Sequence, residues 1–343
     1  MPHSSLADRY VIGVDLGGTN IVVGAVAAAD GRTLAVRSQP TRSELGGESI
    51  VERIGEMVDA VRAETSIEDG AFLGVGAGAP GPLDRARGVV VVAPNLGWRD
   101  FPLRDLVRER TGLPTTLDND ANCATLGEWW CGAAKGGRNV IGITIGTGIG
   151  GGMIVDGQLY HGASDVAGEV GHMTIDSQGR WCKCGNYGCL EAYTSGSAIA
   201  TRARESLVAD RDGSSLPSFV DGDLSKITAQ TVFDAARAGD ALAIEVVRDT
   251  ARFLGAGIAN LLNVFNPDVV VIAGGVTQAG DALFDPLRAE VRRRAFRPAV
   301  QSCRIVAGAL PGTAGVVGAA KTFLMQHERE RHTGSFALPA QLS

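Results

Sequence analysis

The sequence predicts an α/β protein of two lobes, built on an internal duplication, with a ligand-holding cleft between the lobes. Three observations carry this expectation. A chain of 343 residues is too long for one small domain and suits two, each able to bury its own core. A hydrophobic fraction of 45%, with 5% aromatics and 47 glycines, describes a globular chain with many tight backbone turns. A short apolar strand that breaks into a glycine turn and returns as a second apolar strand occurs twice, at 10–29 and at 140–155.

The first copy is Tyr10-Val11-Ile12-Gly13-Val14-Asp15, the turn Leu16-Gly17-Gly18-Thr19-Asn20, and an apolar run over 21–29. A helix over 49–64 follows, then a buried strand over 72–77 and the loop Gly78-Ala79-Pro80-Gly81-Pro82. A strand over 89–92 ends in Pro94-Asn95-Leu96. Residues 113–117 form a short strand running into Asp118-Asn119-Asp120, with a helix over 121–131. The lobe boundary is expected here: a small lobe over 1–120, completed by a closing helix over 312–325, and a large lobe over 121–311. The second copy is Val140 to Ile145, then Gly146-Thr147-Gly148 within a longer glycine run, then Met153-Ile154-Val155. Residues 209–230 read as a polar surface excursion, 235–265 as helix, 268–273 as a buried parallel-type strand ending in Gly274-Gly275, and 326–343 as a mobile tail.

A net charge of -6 offers no basic field for a phosphate backbone, so neither nucleic acid nor an anionic membrane is expected as a partner. The first ten residues lack the apolar core of a signal peptide, and no later stretch is a long charge-free run. A cytoplasmic protein is expected. Six cysteines in such a compartment do not form a disulfide framework, so their spacing matters more than their number. Cys123, Cys131 and Cys303 are scattered and read as small buried hydrophobes.

A glycine turn leaving a buried strand lets backbone N–H groups approach phosphate oxygens, and an adjoining threonine adds a hydroxyl donor. Gly17-Gly18-Thr19 and Gly146-Thr147-Gly148 both fit. Neither ends in the Gly-Lys-Ser/Thr of a Walker loop, and neither opens a helix as a dinucleotide fold requires. One such turn alone reads as an ordinary hairpin. Two copies, with a third turn at Ala273-Gly274-Gly275-Val276, point to a nucleotide held at strand ends.

Between Glu169 and Glu191 lie Glu169-Val170-Gly171-His172 and Cys182-Lys183-Cys184-Gly185-Asn186-Tyr187-Gly188-Cys189. Three thiols and one imidazole make a closed tetrahedral Zn²⁺ set with no open position for catalytic water. The alternative is three reduced cysteines without metal. His161 has no such company and is left as structural. Asp118-Asn119-Asp120 sits where Asp or Asn commonly caps a helix, yet phosphoryl transfer to an alcohol also needs a carboxylate to accept the hydroxyl proton.

With the three glycine turns and the cysteine–histidine segment, residues 11–320 resemble the ROK family of bacterial sugar kinases and sugar-responsive repressors, within the actin-like ATPase fold, a duplicated ribonuclease H-like architecture. The resemblance implies ATP-dependent phosphorylation of the 6-hydroxyl of a hexose, glucose first, with an N-acetylated hexosamine or fructose as alternatives. It implies that Gly17, Gly18, Thr19, Thr147 and Gly148 meet the phosphates, that Gly274 and Gly275 line the adenosine site, and that Asp15 holds Mg²⁺ through water. Asn20 departs from the lysine of many members. Gly81, Asn95, Asn119, Asp120, Glu169, His172 and Glu191 become sugar ligands, Asp120 is also the general base, and Asp118 the helix cap. His172, Cys182, Cys184 and Cys189 would hold a structural zinc that orients His172. Members are commonly dimers or tetramers. The family's repressors carry a DNA-binding domain before the first phosphate turn, for which the 14 residues ahead of Asp15 are too few. Whether polyphosphate replaces ATP stays open.

Overall fold

Apolar residues alternate along β1 (Tyr10–Leu16) so that Ile12, Val14 and Leu16 bury one face and Val11 the other. A computed structural model describes this strand among residues 6–209 and 213–333. β1 pairs antiparallel with β2 (Asn20–Ala27), which pairs antiparallel with β3 (Thr33–Pro40). Next come α1 (Gly47–Thr65), β4 (Phe72–Ala79), the small meander β5 (Leu83–Asp84), β6 (Val89–Ala93) and β7 (Trp98–Phe101), then α2 (Leu103–Thr111), β8 (Thr115–Asn119) and α3 (Asp120–Cys131). The five-stranded sheet runs β3-β2-β1-β4-β8, with β1, β4 and β8 mutually parallel. α1 covers one face through Ile50, Ile54, Met57, Val58 and Val61, a stripe at helical spacing.

The second sheet repeats this plan. β9 (Val140–Ile145) pairs antiparallel with β10 (Ile149–Val155), which pairs with β11 (Gln158–Leu159). After the short α4 (Glu191–Thr194), α5 (Gly196–Ala209), α6 (Ala229–Arg237) and α7 (Ala241–Phe265), β12 (Val269–Ala273) joins β9 in parallel. α8 (Asp281–Arg294) and α9 (Arg297–Ser302) lead to β13 (Arg304–Ala307), parallel to β12. The order β11-β10-β9-β12-β13 matches the first sheet strand for strand, so the duplication seen in the glycine turns is a duplication of topology. The helical stretch expected over 235–265 is two helices: Gly239 turns at φ 92° and the Asp240 side chain caps α7 by accepting from Ala243 N–H. The polar stretch after α5 is partly pinned by buried Leu216 and Val220; residues 210–212 lie outside the described residues.

α10 (Ala314–Thr333) closes the chain against the reverse face of the first sheet, where Val316, Ala320, Phe323 and Leu324 meet Val11 and Val26. It also packs on α3 so tightly that a Cβ at Gly318 would fall 1.5 Å from the Cys123 carbonyl oxygen. Contacts divide the chain into one unit of Met1–Gly132, Gly162–Val166 and Gly312–Ser343, and another of Ala133–His161 and Ala167–Pro311. The boundary thus falls after α3, not before it as expected, because α3 shares its packing with α10. The expected mobile tail is helix through Thr333, since α10 continues beyond its last buried turn; residues 334–343 lie outside the described residues. Cys123 is buried as anticipated, but Cys131 and Cys303 are only half-buried. No helix of the described residues is long and apolar enough to cross a membrane.

Candidate active site

In the first unit the turn after β1 exposes Gly18 and Thr19 and leaves Gly17 half-buried, with Gly17 N–H donating to the Asn20 carbonyl at 2.9 Å. Gly18 lies against Asn95, whose side chain would meet a Cβ there at 3.5 Å. Gly81, at φ 88°, passes so near β6 that a Cβ would sit 2.2 Å from the Val92 carbonyl oxygen. Asp15, the last residue but one of β1, is half-buried and rests its carboxyl on Gly315 at the start of α10, where a Cβ would fall 2.2 Å from its Oδ2. Burial, and after it the charge of Asp120, pushes the Asp15 carboxyl up to about 7. The structure therefore brings Asp15 and Asp120 into one electrostatic neighbourhood.

Asp120 opens α3, and the cap is Asn119: its side-chain oxygen accepts from the N–H groups of Ala121 at 2.9 Å and Asn122 at 3.1 Å. This corrects the expectation for Asp118, which is fully buried and turned the other way. Asp118 Oδ1 accepts from Asn119 N–H at 2.8 Å and from Asn122 Nδ2 at 3.1 Å, while Oδ2 pairs with Arg85 Nε at 3.2 Å. The same guanidinium reaches Asp165 Oδ1 at 3.5 Å, on a residue held at φ 58°. A buried carboxylate requires such a cation. Arg85 and Asp165 carried no signal in the sequence, because their chain separation hides the pairing.

In the second unit Gly146 N–H donates to the Gly148 carbonyl at 3.0 Å, and Gly146 and Thr147 are exposed. Gly274, at φ 100°, packs on the end of β9, where a Cβ would lie 2.1 Å from the Ile145 carbonyl oxygen. The second and third glycine turns are thus neighbours, with Gly275 exposed beside them. Glu191, at the start of α4, accepts from Ile149 N–H at 2.7 Å through Oε2 and has Oε1 3.9 Å from Cys182 Sγ. The Glu169 carboxyl is pushed above its ordinary value by loss of hydration, against the pull of His172 and with the push of Glu191, so these three sugar-ligand candidates sit together.

His172, Cys182, Cys184 and Cys189 converge, with all four ligand atoms within 4.8 Å of one another. Cys184 Sγ and Cys189 Sγ are 3.7 Å apart, and Cys182 Sγ lies 3.8 Å from His172 Nδ1. Thiolates at zinc bond length on a tetrahedron are about 3.8 Å apart, so the set fits the ion. Burial, followed by its hydrogen bonds to Cys184 and Cys182, pushes the Cys189 thiol up to about 12, and a soft dication is what lets crowded sulfurs ionise together. The knuckle is shaped by Cys182 N–H donating to Asn186 O and by Gly185 N–H donating to Cys182 O.

Two sheets of one order, each opening a glycine turn after its first strand, carry the actin-like ATPase fold, and similarity to a solved glucokinase places the chain among the sugar kinases of that fold. Within that fold the chain belongs to the ROK family, whose model matches residues 11–326. It is 38% identical over 314 residues to a glucokinase of Halalkalibacterium halodurans, covering 91% of this chain and 94% of that one. A Thermotoga maritima glucokinase is 39% identical over 311 residues, covering 90% and 96%. Among solved structures, a ROK family glucokinase from Streptomyces griseus in complex with glucose and AMPPNP superposes with a TM-score of 0.81 at 38% identity, covering 91% of this chain and 98% of that one.

Proposed function

We propose that this chain is an ATP-dependent glucokinase, transferring the γ-phosphoryl of ATP to the 6-hydroxyl of glucose and releasing glucose 6-phosphate and ADP. The observation that carries the reading is Asp120 at the start of α3, next to the Asn119 cap and near enough for its charge to act on Asp15, in a chain this similar to glucokinases. Asp120 accepts the 6-hydroxyl proton as the new O–P bond forms and the bond to the ADP leaving oxygen breaks. Asn119 spends its side-chain oxygen on the α3 cap and keeps its amide N–H₂ for a sugar hydroxyl. Gly81, Asn95, Glu169, His172 and Glu191 are the further sugar ligands.

Gly17, Gly18, Thr19, Thr147 and Gly148 are the phosphate donors of this reading, and Gly274 and Gly275 leave bare backbone for the adenosine. Asp15 would hold Mg²⁺ through water, and the ion would neutralise phosphate charge. His172, Cys182, Cys184 and Cys189 would hold a zinc that supplies rigidity, not chemistry, with His172 Nδ1 toward the thiols and Nε2 left for the sugar. The same reading puts the enzyme in the cytoplasm as a homodimer or homotetramer.

A coupled ADP-release assay over glucose, mannose, fructose, N-acetylglucosamine and N-acetylmannosamine tests it, with the highest kcat/KM for glucose. Preference for an N-acetylated sugar would replace the substrate, and turnover with none would remove the enzyme.

A further inference from the structure

Thr41 follows β3 directly and is fully buried, yet both of its hydrogen-bond donors are spent on one distant turn. Its Oγ1 donates to the Gly17 carbonyl at 2.7 Å, and its backbone N–H donates to the Thr19 carbonyl at 2.8 Å. A trans peptide is planar, so its carbonyl and the following N–H point in opposite directions. Fixing the Gly17 carbonyl on the Thr41 side therefore turns the N–H of Gly18 to the other side, and fixing the Thr19 carbonyl does the same for the N–H of Asn20. Gly18, Thr19 and Asn20 are the exposed residues of this turn.

We infer that Thr41 is a positioning residue for nucleotide binding: it touches no substrate but aims two backbone donors of the first glycine turn at the phosphates of ATP. This rests on the kinase reading above and adds to it a residue outside every glycine turn. It also gives Asn20 a part that needs no lysine, since its backbone N–H, not its side chain, is what Thr41 presents. Losing the hydroxyl would leave the half-buried Gly17 carbonyl short of a donor and free that peptide to rotate.

The test compares Thr41→Val, which keeps shape and the backbone N–H but removes the hydroxyl, with Thr41→Ser, which keeps the hydroxyl. Thr41→Val should raise both KM for ATP and the calorimetric Kd for AMPPNP about tenfold, the effect of one lost hydrogen bond. KM for glucose should stay within about twofold, and Thr41→Ser should restore nucleotide affinity to within about threefold. Thr41→Ala serves as a second hydroxyl-free variant should Thr41→Val not fold. A hydroxyl-free variant that melts lower but keeps wild-type affinity for AMPPNP would overturn the inference and leave Thr41 a structural residue. The kinase reading fails separately: a wild-type chain that binds AMPPNP but phosphorylates no hexose removes the reaction, while the AMPPNP affinities still decide on Thr41.

Discussion

Asp15 gives the sharpest quantitative prediction, because the structure makes its carboxylate costly to the folded chain. The group titrates at about 7 when folded against an ordinary 3.8, first through burial and then through the charge of Asp120. The folded chain holds this proton more tightly than the unfolded chain, so the stability it contributes is complete below 3.8 and is lost as pH rises through about 7. At 1.36 kcal/mol per pH unit the full cost above that range reaches about 4 kcal/mol, and solvent access to the half-buried side chain reduces it to about 2 kcal/mol. Asp15→Asn removes the charge at nearly constant volume. In urea unfolding without Mg²⁺ or nucleotide, the variant should be the more stable chain at pH 8 by about 2 kcal/mol, with the gap under about 1 kcal/mol at pH 4.5. It should also lose most of its turnover, since the proposed Mg²⁺ would lose its anionic anchor. A variant no more stable than wild type at pH 8 would refute the desolvation argument.

Asp120→Ala should abolish turnover while calorimetry finds glucose affinity within about tenfold of wild type; near-normal turnover would require another base. Arg85→Ala leaves the buried Asp118 without its cation and should cost about 3 kcal/mol in urea unfolding, whereas a loss below about 0.5 kcal/mol would show the pair to be idle. Elemental analysis should find about one zinc per chain, with Cys184→Ser losing both metal and sugar affinity; active enzyme free of zinc would end that assignment.

The two glycine turns, the cysteine–histidine cluster and the Asn-Asp pair were legible in the sequence because each is a local pattern with a local physical cause. Glycine marks backbone that must approach something, and three cysteines and a histidine within a short span mark a set able to hold a metal. The repeat of the strand–turn–strand unit was legible for the same reason, whereas the five-strand order of each sheet comes from the structure. What stayed hidden depends on groups far apart in the chain. Asp118 looked like a cap because its neighbours suit one, and only the fold shows that its carboxylate turns inward to Arg85 while Asn119 takes the α3 N–H groups. The lobe boundary was misplaced for the same reason: α3 follows β8 without a break, and what assigns it is α10, nearly two hundred residues later.

The duplication itself shows why support residues escape a sequence reading. In the first turn the carbonyls of Gly17 and Thr19 are both held by Thr41. In the second, the Gly146 carbonyl accepts from Gly196 N–H at 2.8 Å and the Thr147 carbonyl accepts from Ser197 Oγ at 2.6 Å. By the same planar-peptide argument the N–H groups of Thr147 and Gly148 are turned away from α5. The two turns thus reach one electrostatic result, carbonyls tied behind and donors in front, but the ties come from the end of a strand in one unit and the start of a helix in the other. The phosphate role proposed for both turns depends on the direction of their peptides and not on which residue holds them. The turns therefore repeat in the sequence, whereas their supports do not.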